Sequence, residues 1–122
     1  MSIIRAHEAP TFELPGVRFT AYAAPSRGSA ELCTWQITVA PAQEPNAHTL
    51  DRDETFLVLE GRLRVTPDGE DLGVGDVAVV PAGETIAVLN PGPDPARAYV
   101  AIGAGFIATT HDGQTIQPPW AQ

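Results

Sequence analysis

Turn-forming residues punctuate this chain more heavily than anything else in it. Twelve Pro and eleven Gly are spread so that no apolar pattern keeps a helical period for more than a turn or two. Short runs rich in β-branched and aromatic residues lie between them, the pattern of many short strands joined by tight turns. Strands are predicted at Val17–Ala23, Glu31–Val39, Thr55–Glu60, Arg62–Thr66, Val77–Val80, Ile86–Asn90, Arg97–Ile102 and Gly105–Thr110. The turns between them include Pro67-Asp68-Gly69-Glu70, Pro81-Ala82-Gly83 and Asn90-Pro91-Gly92-Pro93, with His111-Asp112-Gly113 as a late hairpin tip. Such spacing predicts an all-β sandwich, jelly roll or barrel. The ends, Met1–Pro10 and Gln114–Gln122, read as irregular, and Trp120 is expected to pack its tail onto the barrel or onto a second subunit.

The 122 residues match one domain, long enough to bury a core without covalent staples. Cys33 is the sole cysteine, so no intrachain disulfide can form, which suits a reducing compartment. Met1–Pro10 lacks a basic region followed by an apolar core, and no apolar run reaches the roughly 18 residues that span a bilayer. A cytoplasmic protein with no membrane partner is expected. The net charge of −8 repels phosphate backbones and argues against nucleic acid. All seven basic residues are Arg. With the abundant Ala, Gly and Pro, that suggests a bacterial genome of high GC content.

Two segments carry more specific information. The first runs His48-Thr-Leu-Asp-Arg-Asp-Glu54-Thr-Phe-Leu-Val-Leu-Glu-Gly61. The second runs Gly75-Asp-Val-Ala-Val-Val-Pro81-Ala-Gly83-Glu-Thr-Ile86-Ala-Val-Leu-Asn90. Gly61 allows a tight turn between strands, and Pro81 with Gly83 bends the chain where a strand ends. Phe56 and Val58 alternate with Leu57 and Leu59, so both faces of that strand are apolar, as when one fills a barrel and the other meets a second layer.

These segments resemble the two motifs of the cupin superfamily. The first motif spans about residues 42–61 and the second about 75–90. The spacings Glu54 to Gly61, Gly75 to Pro81, Pro81 to Gly83 and Gly83 to Asn90 all fit. The resemblance implies a single-domain cupin over residues 1–122, a double-stranded β-helix or jelly-roll barrel, and commonly a homodimer. It also implies a divalent metal held by three His and one Glu. Carried over position by position, those ligands fall at His48, residue 50, Glu54 and residue 86. Here residue 50 is Leu50 and residue 86 is Ile86, and the Gly opening the first motif is replaced by Ala42. Hydrocarbon side chains have no lone pair to give, so His48 and Glu54 are the only metal ligands left, and protein sites usually need three or more.

The expectation is therefore a metal-independent pocket. Trp35, Leu50, Phe56, Ile86 and Val88 would line it, with His48 and Glu54 as its polar pair. The two are candidate catalytic residues for acid/base chemistry of an isomerase or cyclase type. A carboxyl among apolar groups has its pKa raised unless a partner stabilises its charge, and His48 is the predicted partner of Glu54. The alternatives are a metal-dependent oxygenase-type enzyme with a rearranged site, and a non-catalytic binding or regulatory protein. Cys33 reads as a buried small residue on the face of Trp35, Ile37 and Val39. His111 reads as an exposed turn residue, Trp35 and Tyr22 as able to stack on a flat ligand, and Asp51-Arg52-Asp53 as a solvated turn.

Overall fold

The computed structural model describes residues 1–122. Nine strands form: β1 Thr11–Leu14, β2 Val17–Ala21, β3 Leu32–Val39, β4 His48–Leu50, β5 Glu54–Glu60, β6 Val77–Val80, β7 Ala96–Gly103, β8 Ala108–Thr110 and β9 Thr115–Ile116. One sheet has the order β1-β2-β3-β7-β5-β6 and the other β4-β8-β9. Every paired strand in both is antiparallel, and the inner faces share one apolar core. The all-β jelly-roll expectation holds.

Alternation decides which side chains enter that core. On β3, Cys33, Trp35, Ile37 and Val39 are buried, and on β7 so are Ala96, Ala98, Val100 and Ile102. Ile37 and Val58 both face Ala98 across the ladder. A small residue between two bulky ones lets the layer close without strain. Residue Leu59 is the extra residue of a β-bulge on β5, where Val58 pairs with Ala98 and Glu60 with Arg97.

Two predicted strands, Arg62–Thr66 and Ile86–Asn90, form isolated bridges instead: Leu63 with Leu72, Arg64 with Leu89, and Ile86 with His48. Both segments are extended and their inward residues Leu63, Val65 and Ile86 are buried. The turn around Pro67–Gly69 and the bend at Pro81–Gly83 cut the ladders short. Strands β1, β4 and β9 were not predicted; the last is a short return from the turn whose tip carries Gly113 at φ 87°. The tail then forms a 3-10 turn over Pro119–Ala121, and Trp120 stacks on Phe19 with ring centroids 3.7 Å apart and 9° between planes. No helix is long and apolar enough to cross a membrane.

The second motif ends on a structural residue. Buried Asn90 donates from Nδ2 to the carbonyls of Val39 (3.0 Å) and Asp94 (2.8 Å), and its Oδ1 accepts from the amide of Gly92 (2.9 Å). One side chain thus shapes the Asn90–Asp94 turn and joins it to the end of β3. Asn90→Ala removes three bonds and strands the Val39 carbonyl, so a loss of about 2–4 kcal/mol is expected in denaturant unfolding. A change below about 0.5 kcal/mol would show that water replaces the amide at no cost.

Candidate functional site

One end of the barrel opens into a cavity of about 380 Å³. Strand alternation supplies its floor. Glu54, Phe56 and Val58 share the inward face of β5, and each is no more than 3% exposed. An acidic residue in phase with two core residues is carried into the core with them. Glu54 lines the cavity together with His48, Leu50, Phe56, Ile86, Val88 and Trp35. Strand β4 presents His48 and Leu50, and His48 exchanges both backbone hydrogen bonds with Ile86, at 3.0 and 2.8 Å. The positions singled out in the two motifs therefore surround one space.

The predicted partnership of Glu54 with His48 is not made. The Glu54 carboxyl has no hydrogen bond or ion pair within the protein. Burial without a compensating charge pushes its pKa up to about 8 from an ordinary 4.5, because the charged form loses its water and gains nothing in return. His48 is engaged elsewhere: its Nδ1 lies 2.8 Å from the carbonyl of Asn46. A carbonyl only accepts, so Nδ1 carries the hydrogen, and in the neutral ring Nε2 keeps its lone pair. The cavity thus holds an uncommitted acid and an oriented acceptor as separate groups.

The mouth is polar. Asn46, His111, Asp112 and Gln114 line it and are exposed. His111 is exposed, as its turn position predicts, but the hairpin tip between β8 and β9 also brings it to the rim. Thr110 donates to the Asp112 carboxylate and holds it below the ordinary range. Tyr22 lies outside the cavity, 6.0 Å from the ring of Tyr99. Residues Asp51, Arg52 and Asp53 are exposed yet employed. Asp51 accepts from the amide of Ile107, Asp53 accepts from that of Ala82, and Arg52 donates to the carbonyl of Ala104. These contacts tie the corner before Glu54 to two neighbouring loops.

Sequence reasoning placed Trp35 and Phe56 in the wall and missed three further aromatic residues. Phe19, Phe106 and Trp120 line the cavity beside Trp35 and Phe56. Trp35 sits 6.0 Å from Phe106 and 6.4 Å from Trp120, the latter edge-on at 69°. The inward phase of Phe19 was readable from β2; Trp120 packs its tail onto the barrel, one of the two packings expected of it, but its place in the cavity wall was not foreseen.

A family model described as a cupin domain matches residues 35–102, more than half of the chain. The chain belongs to the cupin family. Cupin folds of known structure agree. The polyketide cyclase RemF from Streptomyces resistomycificus superposes with a TM-score of 0.73 at 18% identity, covering 84% of this chain and 79% of that one. A putative acetylacetone dioxygenase from Methylibium petroleiphilum gives 0.73 at 11% identity, covering 96% and 86%. KdgF from a Halomonas species gives 0.68 at 18% identity, covering 84% and 93%. At these identities the likeness is one of fold. No curated protein matches the chain in sequence.

The metal that the cupin family implies does not fit this donor set. No three His, Cys, Asp or Glu side chains come together in a metal-holding group. The positions carried over for the other two ligands hold the buried hydrocarbons Leu50 and Ile86.

The raised pKa of Glu54 makes a stability prediction. Below pH 4.5 the residue is neutral both folded and unfolded and costs nothing. Between 4.5 and about 8 the unfolded chain loses the proton while the folded one keeps it. Stability should then fall by about 1.4 kcal/mol per pH unit from this residue, and level off above that window. Glu54→Gln should flatten the slope and raise stability at alkaline pH. Parallel curves for the two proteins in denaturant titrations across this window would refute the assignment.

Proposed function

We propose that this cupin binds a small, largely apolar molecule without a metal and acts on it by acid/base chemistry of the isomerase or cyclase type. The observation that carries the reading is the Glu54 carboxyl, buried in the cavity wall with no partner of its own. An unsatisfied buried polar group is costly, and a ligand that meets it removes the cost.

The mechanism follows from the two groups. Glu54, protonated at neutral pH, donates to a carbonyl or hydroxyl oxygen of the ligand. The Nε2 lone pair of His48, fixed by the Nδ1–H bond to Asn46, accepts a proton from an adjacent carbon. Together the transfers turn a ketone into its enol, the step shared by double-bond isomerisation and by ring closures through an enol. The hydrocarbon of Leu50, Phe56 and Ile86 excludes water from the acid. That RemF is a polyketide cyclase supports such chemistry in a barrel of this shape.

Deuterium uptake next to the carbonyl in a panel of cyclic and aryl ketones tests the chemistry. Wild-type protein should accelerate uptake, with the rate declining as pH rises through about 8, where Glu54 loses its proton. Glu54→Gln and His48→Gln should each lower the rate by about 10²–10⁴-fold. Binding without any acceleration would leave a non-catalytic binding protein. Elemental analysis of protein purified without chelator should find no stoichiometric metal. Tightly bound iron, manganese, nickel or zinc would overturn the metal-free reading and restore the oxygenase alternative.

We further propose that the protein works in a reducing cytoplasm as a homodimer through the outer face of the larger sheet. Leu57 stands in register between Val77 and Tyr99 on neighbouring strands, and Val77 and Val79 are 54% and 65% exposed. An apolar outer face beside an open sheet edge is the kind of surface a second copy covers. Sedimentation equilibrium should show a dimer that Val79→Asp converts to a monomer. A wild-type monomer at all concentrations would remove this part of the proposal.

A further inference from the structure

The cavity wall carries information about its ligand beyond the presence of an acid. Five aromatic side chains line it: Phe19, Trp35, Phe56, Phe106 and Trp120. They lie on β2, β3, β5, the segment before β8 and the tail, so rings face the space from several directions. The stacked pair Phe19–Trp120 and the tilted pair Trp35–Phe106 are rigid, flat surfaces, suited to a flat guest. At about 30 Å³ per water-sized atom, the cavity of 380 Å³ holds about a dozen non-hydrogen atoms. That matches one or two fused rings with a substituent.

The charges on the wall exclude more. Neither Arg nor Lys lines the cavity, while the carboxyls of Glu54 and Asp112 do, in a chain of net charge −8. An anionic ligand would meet the Asp112 carboxylate at the mouth and, beside the imidazoles of His48 and His111, no permanent positive charge. A cationic one could pair with Glu54. Burying that pair, however, strips both ions of water, and the attraction regains the loss only with further hydrogen bonds. The hydrocarbon of Leu50, Phe56 and Ile86 supplies none. A neutral oxygen carries no such cost, because a carboxyl can donate to a carbonyl or accept from a hydroxyl.

The inventory of unmet hydrogen bonds agrees. Besides the Glu54 carboxyl, two side-chain polar atoms that are wholly buried lack any partner, Gln43 Oε1 and Trp120 Nε1. Both residues line this cavity. Wholly buried side-chain polar atoms elsewhere in the protein are satisfied, so the deficit is confined to residues of this cavity wall.

We propose that the cavity selects an uncharged aromatic molecule of one or two rings, held between the aromatic walls with a single carbonyl or hydroxyl oxygen on the Glu54 carboxyl. This rests on the reading of the cavity as a ligand site, but not on catalysis there.

Calorimetric titration of the full chain at neutral pH with four probes of nearly one size tests it: α-tetralone, its oxygen-free analogue tetralin, α-naphthoate and α-naphthylmethylammonium. The ketone should bind best, with the anion and the cation each at least about tenfold weaker. Tetralin should also be about tenfold weaker, the worth of one hydrogen bond to the carboxyl, and Glu54→Leu should erase that gap. Quenching of Trp fluorescence should follow the ketone, since both Trp residues of the chain line the cavity. An ion that binds as tightly as the ketone, or a ketone-to-tetralin gap that survives in Glu54→Leu, overturns the ligand class and leaves the cavity reading standing. No binding by any of the four overturns both.

Discussion

The inward phase of β5 is the constraint on which the site depends. Its ladder with β7 and β6 fixes which residues point to the core, and a two-residue period admits no exception for a charged one. Glu54 is in phase with Phe56 and Val58, so the packing that orders the barrel also desolvates a carboxyl. A slip of one residue would place Thr55, Leu57 and Leu59 inside and return Glu54 to water. The ladder forbids that slip because Ala98 on β7 is small where Ile37 and Val58 converge on it. The acid is held in its environment by hydrophobic burial on both sides of it, not by a bond of its own.

Much of this was legible in the sequence, for definite reasons. Turn residues and two-residue alternation report local geometry, so β3, β5, β6 and β7 fall close to their predicted bounds. The convergence of His48, Leu50, Glu54 and Ile86 could be read because a motif with kept spacing carries its geometry with it. Strands that depend on distant partners were less visible. β4 is three residues long and exists because Thr110 and Ile86 approach it from far along the chain. Arg62–Thr66 has strand-like composition, yet the turns beside it leave room only for bridges. Of the aromatic wall, Trp35 and Phe56 were read from the sequence, and Trp120 was expected to pack onto the barrel or a second subunit; that it closes the cavity, more than eighty residues past Trp35, is a placement no local pattern records.

Ala42 illustrates the difference between a motif and the conformation it encodes. It stands where the family motif has Gly, and its φ of 57° is the only positive value at a residue other than Gly. The left-handed backbone is kept although the residue that adopts it most easily has been lost. The loop before β4 thus keeps a left-handed turn at some local cost.

That retained frame bears on the protein's history and its prospects. His48 exchanges backbone bonds with Ile86, and Leu50 follows His48 on the same side of β4, so the four positions to which the family's donors carry over share one wall. A lineage could cross between the two kinds of chemistry by changing side chains alone, without rebuilding a strand. The same scaffold is for that reason a short mutational walk from a coordination site. The walk comes down to two positions, Leu50 and Ile86.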